Sequence, residues 1–334
     1  MQMRPLGESG IQASVVALGA WAMGGWMWGG ADEEDAVRAV HAAIDHGVNM
    51  IDTAPIYGFG HSEIVVGRAI KDRRDHVLIA TKCGMVPGTP GGRLAFRSTA
   101  KGAHDFGHIP VSIWNDPESI RWEVESSLQR LGTDRIDLYQ THWQEEQTPI
   151  AETMGCLLRL KEEGKIRAIG VCNATTEQME AYRAVGRLDS DQEKYSMLDR
   201  GLEEGQLAYC RERQTAVLAY SPLALGLLTG KIGAEREFGE GDVRRGRPRF
   251  APGNLRRVAE LLGRFEPVRE KHGCTVGQLV IAWTVRRPGL THALVGARNA
   301  EQAIENAGAG RIRLSEEDLG LMDGAIAELG PSIK

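Results

Sequence analysis

Gly47-Val48-Asn49-Met50-Ile51-Asp52-Thr53-Ala54-Pro55-Ile56-Tyr57-Gly58 is the stretch whose reading decides the fold. Its apolar residues Val48, Met50 and Ile51 are too few to make one face of a helix, and they read as a short buried strand ending at Asp52. Pro55 and Gly58 then turn the chain. A carboxylate therefore stands at the C-terminal end of a strand, and a phenol, Tyr57, follows five residues on. Two further runs have the same form. Val77-Leu78-Ile79-Ala80-Thr81-Lys82 ends in an amine, and Ile136-Asp137-Leu138-Tyr139-Gln140-Thr141 leads into His142-Trp143. Parallel neighbouring strands would bring these three ionisable groups together.

Outward from that stretch the chain alternates. Residues 2–14 read as a hairpin around Glu8-Ser9-Gly10, followed by the buried run Val15-Val16-Ala17-Leu18-Gly19. Asp32 caps a helical pattern that Gly47 ends, and Asp116-Pro117-Glu118 opens another over 117–131. Helices are expected near 62–70, 150–163, 175–185, 202–213, 254–271, 275–286, 299–308 and 315–328. Further strands are expected at 166–170, 191–195, 216–220 and 292–295, and a long Gly-rich loop over 83–115. Eight strand–helix units without a linker-like shift in composition predict an α/β fold. The expected architecture is a closed (β/α)8 TIM barrel over 1–334, one domain, with an N-terminal β-hairpin and an extra C-terminal helix. Such barrels do their chemistry at the C-terminal strand ends, which is where Asp52, Lys82 and His142 fall.

Composition bounds the function. A hydrophobic fraction of 42% supports a packed core, and a net charge of -5 gives no reason to expect nucleic-acid or membrane binding. Five widely spaced cysteines without a C-x-x-C fit reduced thiols rather than a disulfide framework or a zinc site. The opening Met1-Gln2-Met3-Arg4-Pro5 has no apolar signal core, so a cytoplasmic location is expected, and a homo-oligomer stays open. No metal-ligand cluster, no G-x-S-x-G elbow and no G-x-G-x-x-G after a strand is present. A lysine beside an aspartate is a poor Schiff-base nucleophile, because the carboxylate stabilises the ammonium. An ammonium beside a tyrosine makes better sense, since it favours the phenolate and tunes the phenol as a proton donor to a developing alkoxide. His142 would add a second donor to the same oxygen. Singly, each of these residues reads as well as a turn cap, a rim charge or a packed ring; jointly they fit one proton-transfer scheme.

The residues that carry this scheme lie in blocks that resemble the aldo/keto reductases along nearly the whole chain. These are Gly47-x-Asn49-x-Ile51-Asp52-Thr53-Ala54-x-x-Tyr57-Gly58 with Ser62-Glu63, Ala80-Thr81-Lys82, and Leu131-Gly132-Thr133-Asp134-x-Ile136-Asp137-Leu138-Tyr139 with His142-Trp143. Gly164-Lys165-Ile166-Arg167-x-Ile169-Gly170-Val171-x-Asn173, Ala219-Tyr220-Ser221-Pro222-Leu223 and Gly296-Ala297-Arg298 complete the set. Within the family, Thr141-His142-Trp143-Gln144 and Tyr195-Ser196-x-Leu198-Asp199-Arg200 look most like the bacterial branch of methylglyoxal and inositol-linked reductases.

The resemblance implies NADPH-dependent reduction of an aldehyde or ketone, with Asp52, Tyr57, Lys82 and His142 as the catalytic set and Tyr57 the general acid. Asp52 also enters the cofactor set. Cys172, Asn173 and Gln192 match positions that hold the nicotinamide amide, with Cys172 where many relatives have Ser, and Tyr220 matches the ring that stacks on it. Ser221, Pro222, Leu223, Gly226, Leu228 and Lys231 would line the pyrophosphate. Gly296, Arg298, Gln302, Glu305 and Asn306 match the adenosine end, where Arg298 suits a 2′-phosphate and favours NADPH over NADH. Arg244 is a second phosphate candidate. Trp21, Trp26, Trp28 and Trp143, with Tyr57 and His142, would form an aromatic substrate pocket, and Trp26 and Trp28 read equally as packing under the 83–115 loop. Two other classes compete: a cofactor-binding regulatory protein on the same fold, and a barrel isomerase that uses Lys82 and His142 without cofactor.

Overall fold

The apolar runs and the helices between them close on themselves. The computed structural model describes residues 1–89, 91–98 and 108–333. It opens with an antiparallel hairpin, β1 (Met3–Pro5) and β2 (Gln12–Ser14). β3 (Val16–Gly19), α1 (Glu33–Asp45), β4 (Met50–Asp52), α2 (His61–Ile70) and β5 (Leu78–Cys83) follow. Next come β6 (Met85–Pro87), β7 (Arg93–Arg97), β8 (Pro110–Ile113), α3 (Pro117–Leu131), β9 (Ile136–Thr141), α4 (Ile150–Glu162), β10 (Ile166–Cys172) and α5 (Thr176–Arg183). The chain continues through β11 (Ser190–Lys194), α6 (Gln206–Glu212), β12 (Ala216–Tyr220), α7 (Pro252–Gly263), α8 (Glu266–His272) and α9 (Val276–Arg286). It ends with β13 (His292–Gly296), α10 (Ala300–Ala309) and α11 (Glu316–Leu329).

Around the closed barrel the order is β3-β4-β5-β9-β10-β11-β12-β13, with β13 pairing back to β3 and every neighbouring pair parallel. This is the (β/α)8 barrel that the alternation predicts, with its hairpin and its extra helix, α11. The two-residue period of a strand divides the core. Ala17, Met50, Ala80, Leu138, Ala168, Leu218 and Leu294 fill the barrel, and Leu6 and Ile11 of the hairpin join that cluster and plug its N-terminal end. Their chain neighbours Ile51, Ile79, Tyr139 and Ile169 face the helices instead. Helix starts follow local chemistry: Asp32 and Asp116 accept backbone N–H bonds at their caps, and Thr175, Thr275 and Ser315 close capping boxes.

The structure departs from the sequence expectation in three places. The described part of the 83–115 segment is no continuous loop, because β6, β8 and β7 form an antiparallel sheet beyond the end of β5, with a register shift between Leu94 and Phe96; positions 90 and 99–107 of the expected loop lie outside the described residues. Strands of three to five residues with a largely exposed face, as in β7, give no period to read. The helix expected over 254–271 is two, α7 and α8, because Pro267 in the first turn of α8 has no N–H to continue α7. The helix expected over 202–213 shrinks to α6 behind a 3-10 turn, with Gly205 between them.

Candidate active site

Lys82, the penultimate residue of β5, is fully buried, and burial alone would lower its pKa. The groups around it together outweigh that, Asp52 at the end of neighbouring β4 first and then Tyr57 and Cys172: Lys82 Nζ donates to Asp52 Oδ2 at 2.8 Å, and the ammonium is raised above its usual range. The other two Nζ donors go to the Thr53 carbonyl at 2.9 Å and the Tyr57 hydroxyl at 3.3 Å. Asp52 Oδ1 accepts from Gln192 Nε2 at 2.8 Å, so its carboxylate is held from both sides.

Tyr57 feels two opposing effects. Desolvation pushes the phenol up and is the larger; Lys82 pulls it down; the result is about 12. The expectation that the lysine leaves the phenol below its free value is therefore corrected, because enclosure by the ring's neighbours outweighs the ammonium. The phenol stays protonated at neutral pH, as an acid must. The His142 ring meets Tyr57 edge-on, with centroids 5.8 Å apart, and burial and then Lys82 hold its pKa well below the usual imidazole value, so it is neutral. Among the described residues the buried His142 Nδ1 has no partner, and the backbone of His142 is anchored by N–H donation to Cys83 O at 2.9 Å and by Asn173 Nδ2 donating to its carbonyl at 3.0 Å.

A cavity of about 670 Å³ opens over this cluster and runs from Trp143 to Asn306. Asp52, Tyr57 and His142 lie on its floor. Asn173, Gln192 and Tyr220 form one wall, with the Tyr220 hydroxyl donating to Asn173 Oδ1 at 2.8 Å. Ser221, Pro222, Leu223, Gly226 and Lys231 continue that wall, and Gly296, Arg298, Gln302, Glu305 and Asn306 close its far end. Ser221, Ala224 and Leu225 all have positive φ (58°, 47° and 59°), a strained run of backbone bent against the cavity. At the far end Arg298 donates from its side chain to Gly30 O at 2.8 Å and from its backbone to Gln302 Oε1 at 2.9 Å. Glu305 is engaged by Lys231 and by the Thr275 hydroxyl. Arg244 lines the cavity with its guanidinium paired to Asp242 at 2.6 Å and stacked over Trp28 at 5.3 Å.

Three residues expected here stand elsewhere. Cys172 is buried beneath the floor: on β10 it keeps the inward parity of Ala168, close enough to Lys82 and Asp52 to feel their charges, and Asn173, at φ +53°, takes the cavity position. Leu228 is wholly buried in the barrel–helix core, with its N–H bonded to Leu223 O. Trp26 packs on Phe59 and on Phe96 of β7, at 5.1 and 5.9 Å, and does not line the cavity. Trp21, Trp28 and Trp143 do line it, with Trp21 meeting Trp28 edge-on at 5.2 Å. Sequence reasoning passed over the Thr53 carbonyl, Gln140, whose Oε1 receives Gln192 Nε2 at 3.4 Å, and the wall residues Leu225, Thr229 and Arg236. Gln140 was within reach, since it shares the inward parity of Leu138 along β9; a backbone carbonyl leaves no such signal.

Residues 15–327 match the family profile described as aldo/keto reductase family. The chain belongs to the aldo/keto reductases. It is 41% identical over 331 residues to an NADH-specific methylglyoxal reductase of Escherichia coli, covering 96% of this chain and 97% of that protein. It is 39% identical over 305 residues to the aldo-keto reductase YhdN of Bacillus subtilis, covering 90% and 86%. Among solved structures, the glycerol dehydrogenase AKR11B4 from Gluconobacter oxydans superposes with a TM-score of 0.86 at 37% identity, covering 98% of this chain and 96% of that one. An aldo/keto reductase from Klebsiella pneumoniae, solved with NADP and acetate, has a TM-score of 0.69 at 29% identity, covering 97% and 95%. An aldo/keto reductase is an oxidoreductase of carbonyl and alcohol groups, and this chain is an enzyme of that kind. Among the described residues no helix is long and apolar enough to cross a membrane.

Proposed function

We propose that this aldo/keto reductase, acting as one domain over 1–334, reduces an aldehyde or ketone to the alcohol with NADPH, with Tyr57 as the general acid. The observation that carries the reading is the chain of contacts Asp52–Lys82–Tyr57 at 2.8 and 3.3 Å on the floor of the cavity. The bound cofactor supplies a hydride to the carbonyl carbon. The Tyr57 hydroxyl gives its proton to the oxygen, and Lys82, kept charged by Asp52, stabilises the phenolate left behind. His142, neutral, offers one N–H to the same oxygen and so orients the carbonyl.

The residues present fit a dinucleotide. Gln192 spends its amide nitrogen on Asp52 and Gln140, which leaves its oxygen as an acceptor beside Asn173 for the carboxamide. Tyr220 offers a ring, and Lys231 and Arg298 offer cations along the strained Ser221–Gly226 wall. The Arg298 fork, one of whose donors is bound to Gly30 O, supports recognition of a 2′-phosphate. A second reading, NADH, is favoured by the cofactor named for the Escherichia coli relative and by the Glu305 carboxylate at the same end. Cytoplasmic location is supported by five buried, unpaired thiols.

Nicotinamide oxidation is followed with both cofactors against a carbonyl panel that includes methylglyoxal, the substrate named for one relative, and glyceraldehyde, an oxidation product of the glycerol named for another. Turnover with NADPH, and an Arg298→Ala variant whose KM rises for NADPH far more than for NADH, is the expected result. An equal effect on both cofactors removes the phosphate argument. Tight cofactor binding with no turnover of any carbonyl in the panel overturns the reductase reading in favour of a regulatory one.

A further inference from the structure

β5 is gripped on both sides of Lys82 by carboxyl groups from the helices outside. The Thr81 hydroxyl donates to Glu63 Oε1 of α2 at 2.6 Å. On the other side, the Gly84 N–H is shared by both carboxyl oxygens of Glu123 of α3, at 3.1 and 3.0 Å. Glu63 is already matched, since Arg130 Nε donates to its second oxygen at 2.7 Å. Glu123 is only 3% exposed, and among the described residues its one other donor is the Ser119 hydroxyl at 3.3 Å. It does not line the cavity, and nothing in the proton-transfer scheme uses it.

What Glu123 holds is a joint. Gly84 connects barrel strand β5 to β6 of the antiparallel sheet, at φ +81°, so close to Asn115 that an added Cβ would lie 2.1 Å from Oδ1. Lys82 is two residues before it. Met85, the residue after it, packs with Val111 against Ala54, Ile56 and Tyr57. Cys83 O, between Lys82 and the joint, receives the His142 N–H. A rotation at Gly84 therefore moves the ammonium, the wall behind the phenol and the anchor of the imidazole relative to one another.

We propose that Glu123 is a positioning residue for proton transfer: its carboxyl group, by holding the Gly84 N–H, keeps the Lys82 ammonium in contact with the Tyr57 hydroxyl. This rests on the reductase reading above. Burial, and less so the neighbouring Glu63 charge, push the Glu123 pKa up to about 8, against the hydrogen bonds from Gly84 and Ser119 and the Arg130 charge, which lower it. Cys83 of β5 and Tyr139 of β9 are the other titratable groups close enough to feel it. The acid is thus mostly neutral at neutral pH, and a glutamine, with the same carbonyl acceptor and almost the same shape, can replace it. That separates the proposed role from a requirement for charge.

Three variants test the proposal: Glu123→Gln, Glu123→Leu, and Glu123→Asp, which keeps the carboxyl group but withdraws it by one methylene. For each, NADPH Kd is measured by fluorescence quenching, with kcat, KM, the isotope effect of 4-deuterated cofactor, and a crystal structure. Glu123→Leu and Glu123→Asp are expected to lower kcat about 10- to 100-fold, the range for a displacement near 1 Å. Their Kd and KM should stay within about twofold of the parent, their isotope effect should rise, and the Lys82–Tyr57 distance should lengthen. Glu123→Gln is expected to retain kcat within about threefold. Parental kcat in Glu123→Asp or Glu123→Leu overturns the proposal, as does joint loss of Kd, KM and kcat, which is general loosening. Should Glu123→Leu not fold, Glu123→Asp decides alone. A parent enzyme that reduces no carbonyl marks failure of the reductase reading instead, because the variants are judged only against parental turnover.

Discussion

Tyr57 is held between desolvation, which keeps it protonated, and Lys82, which limits the rise. Tyr57→Phe keeps the ring against Trp21 and His142 and removes only the proton. We expect kcat to fall about 10²- to 10⁴-fold with cofactor Kd unchanged; a loss below about tenfold would take Tyr57 out of the proton transfer. Lys82 is a different case, because its removal strands a buried carboxylate. Lys82→Met should abolish turnover and also destabilise the fold by about 3–5 kcal/mol, as breaking a buried pair does. The double variant Asp52→Asn/Lys82→Met should recover most of that stability, read by chemical denaturation, and none of the activity. Equal stability of the single and double variants would show that Asp52 is not stranded. At this scale the sequence was most legible where chemistry resides in side chains at strand ends, as for Asp52, Lys82 and His142. It was least legible where an atom of the main chain does the work, as at Thr53 O and Gly84 N–H.

Among the elements, the turn bearing Tyr57 is placed by another close approach of backbones. Gly24, at the end of the short 3-10 turn after β3, abuts Tyr57 and Gly58 so tightly that a Cβ on Gly58 would lie 2.2 Å from Gly24 O, and Gly58 has φ +62°. Gly58→Ala should cost about 2 kcal/mol or more, from left-handed strain of about 1–2 kcal/mol and the clash. It should also reduce kcat more than it weakens cofactor binding, because the turn carries the acid and not the cofactor wall. Unchanged denaturation and turnover would mean that the turn yields freely. The helices were readable because their caps and apolar faces are local. The sheet of β6, β7 and β8 was not, for its pairs join residues that no short window contains. Trp26 shows the consequence: in its Gly-flanked loop it reads equally as a pocket wall and as packing under the 83–115 segment, and only its stacking on Phe96, far along the chain, decides for the packing.

Over the whole molecule, buried titratable groups set opposing slopes of stability with pH. Burial drives Glu123 from 4.5 up to about 8, so the stability its neutral form contributes is complete below about pH 4.5 and is lost as pH rises through 8. Burial drives His292 from 6.5 down to about 4, and His142 also downward, so their contribution is complete above about pH 6.5 and lost as pH falls. Of these three, Glu123 alone acts between about pH 6.5 and 8, where the parent should lose up to about 2 kcal/mol, at ~1.4 kcal/mol per pKa unit. Glu123→Gln should not; parallel denaturation curves for both proteins across that window would contradict this. By itself the sequence determined the order of the barrel's strands and of most of its helices, several helix caps, and which strand ends carry a carboxylate, an ammonium and an imidazole. Those are local matters of period, turn and side-chain chemistry. Only the tertiary structure decided that Gln192 braces Asp52, that Cys172 and Leu228 are buried short of the cavity surface, and that the phenol sits near 12. Each of these depends on barrel closure and on burial, which sum over residues distant in the chain.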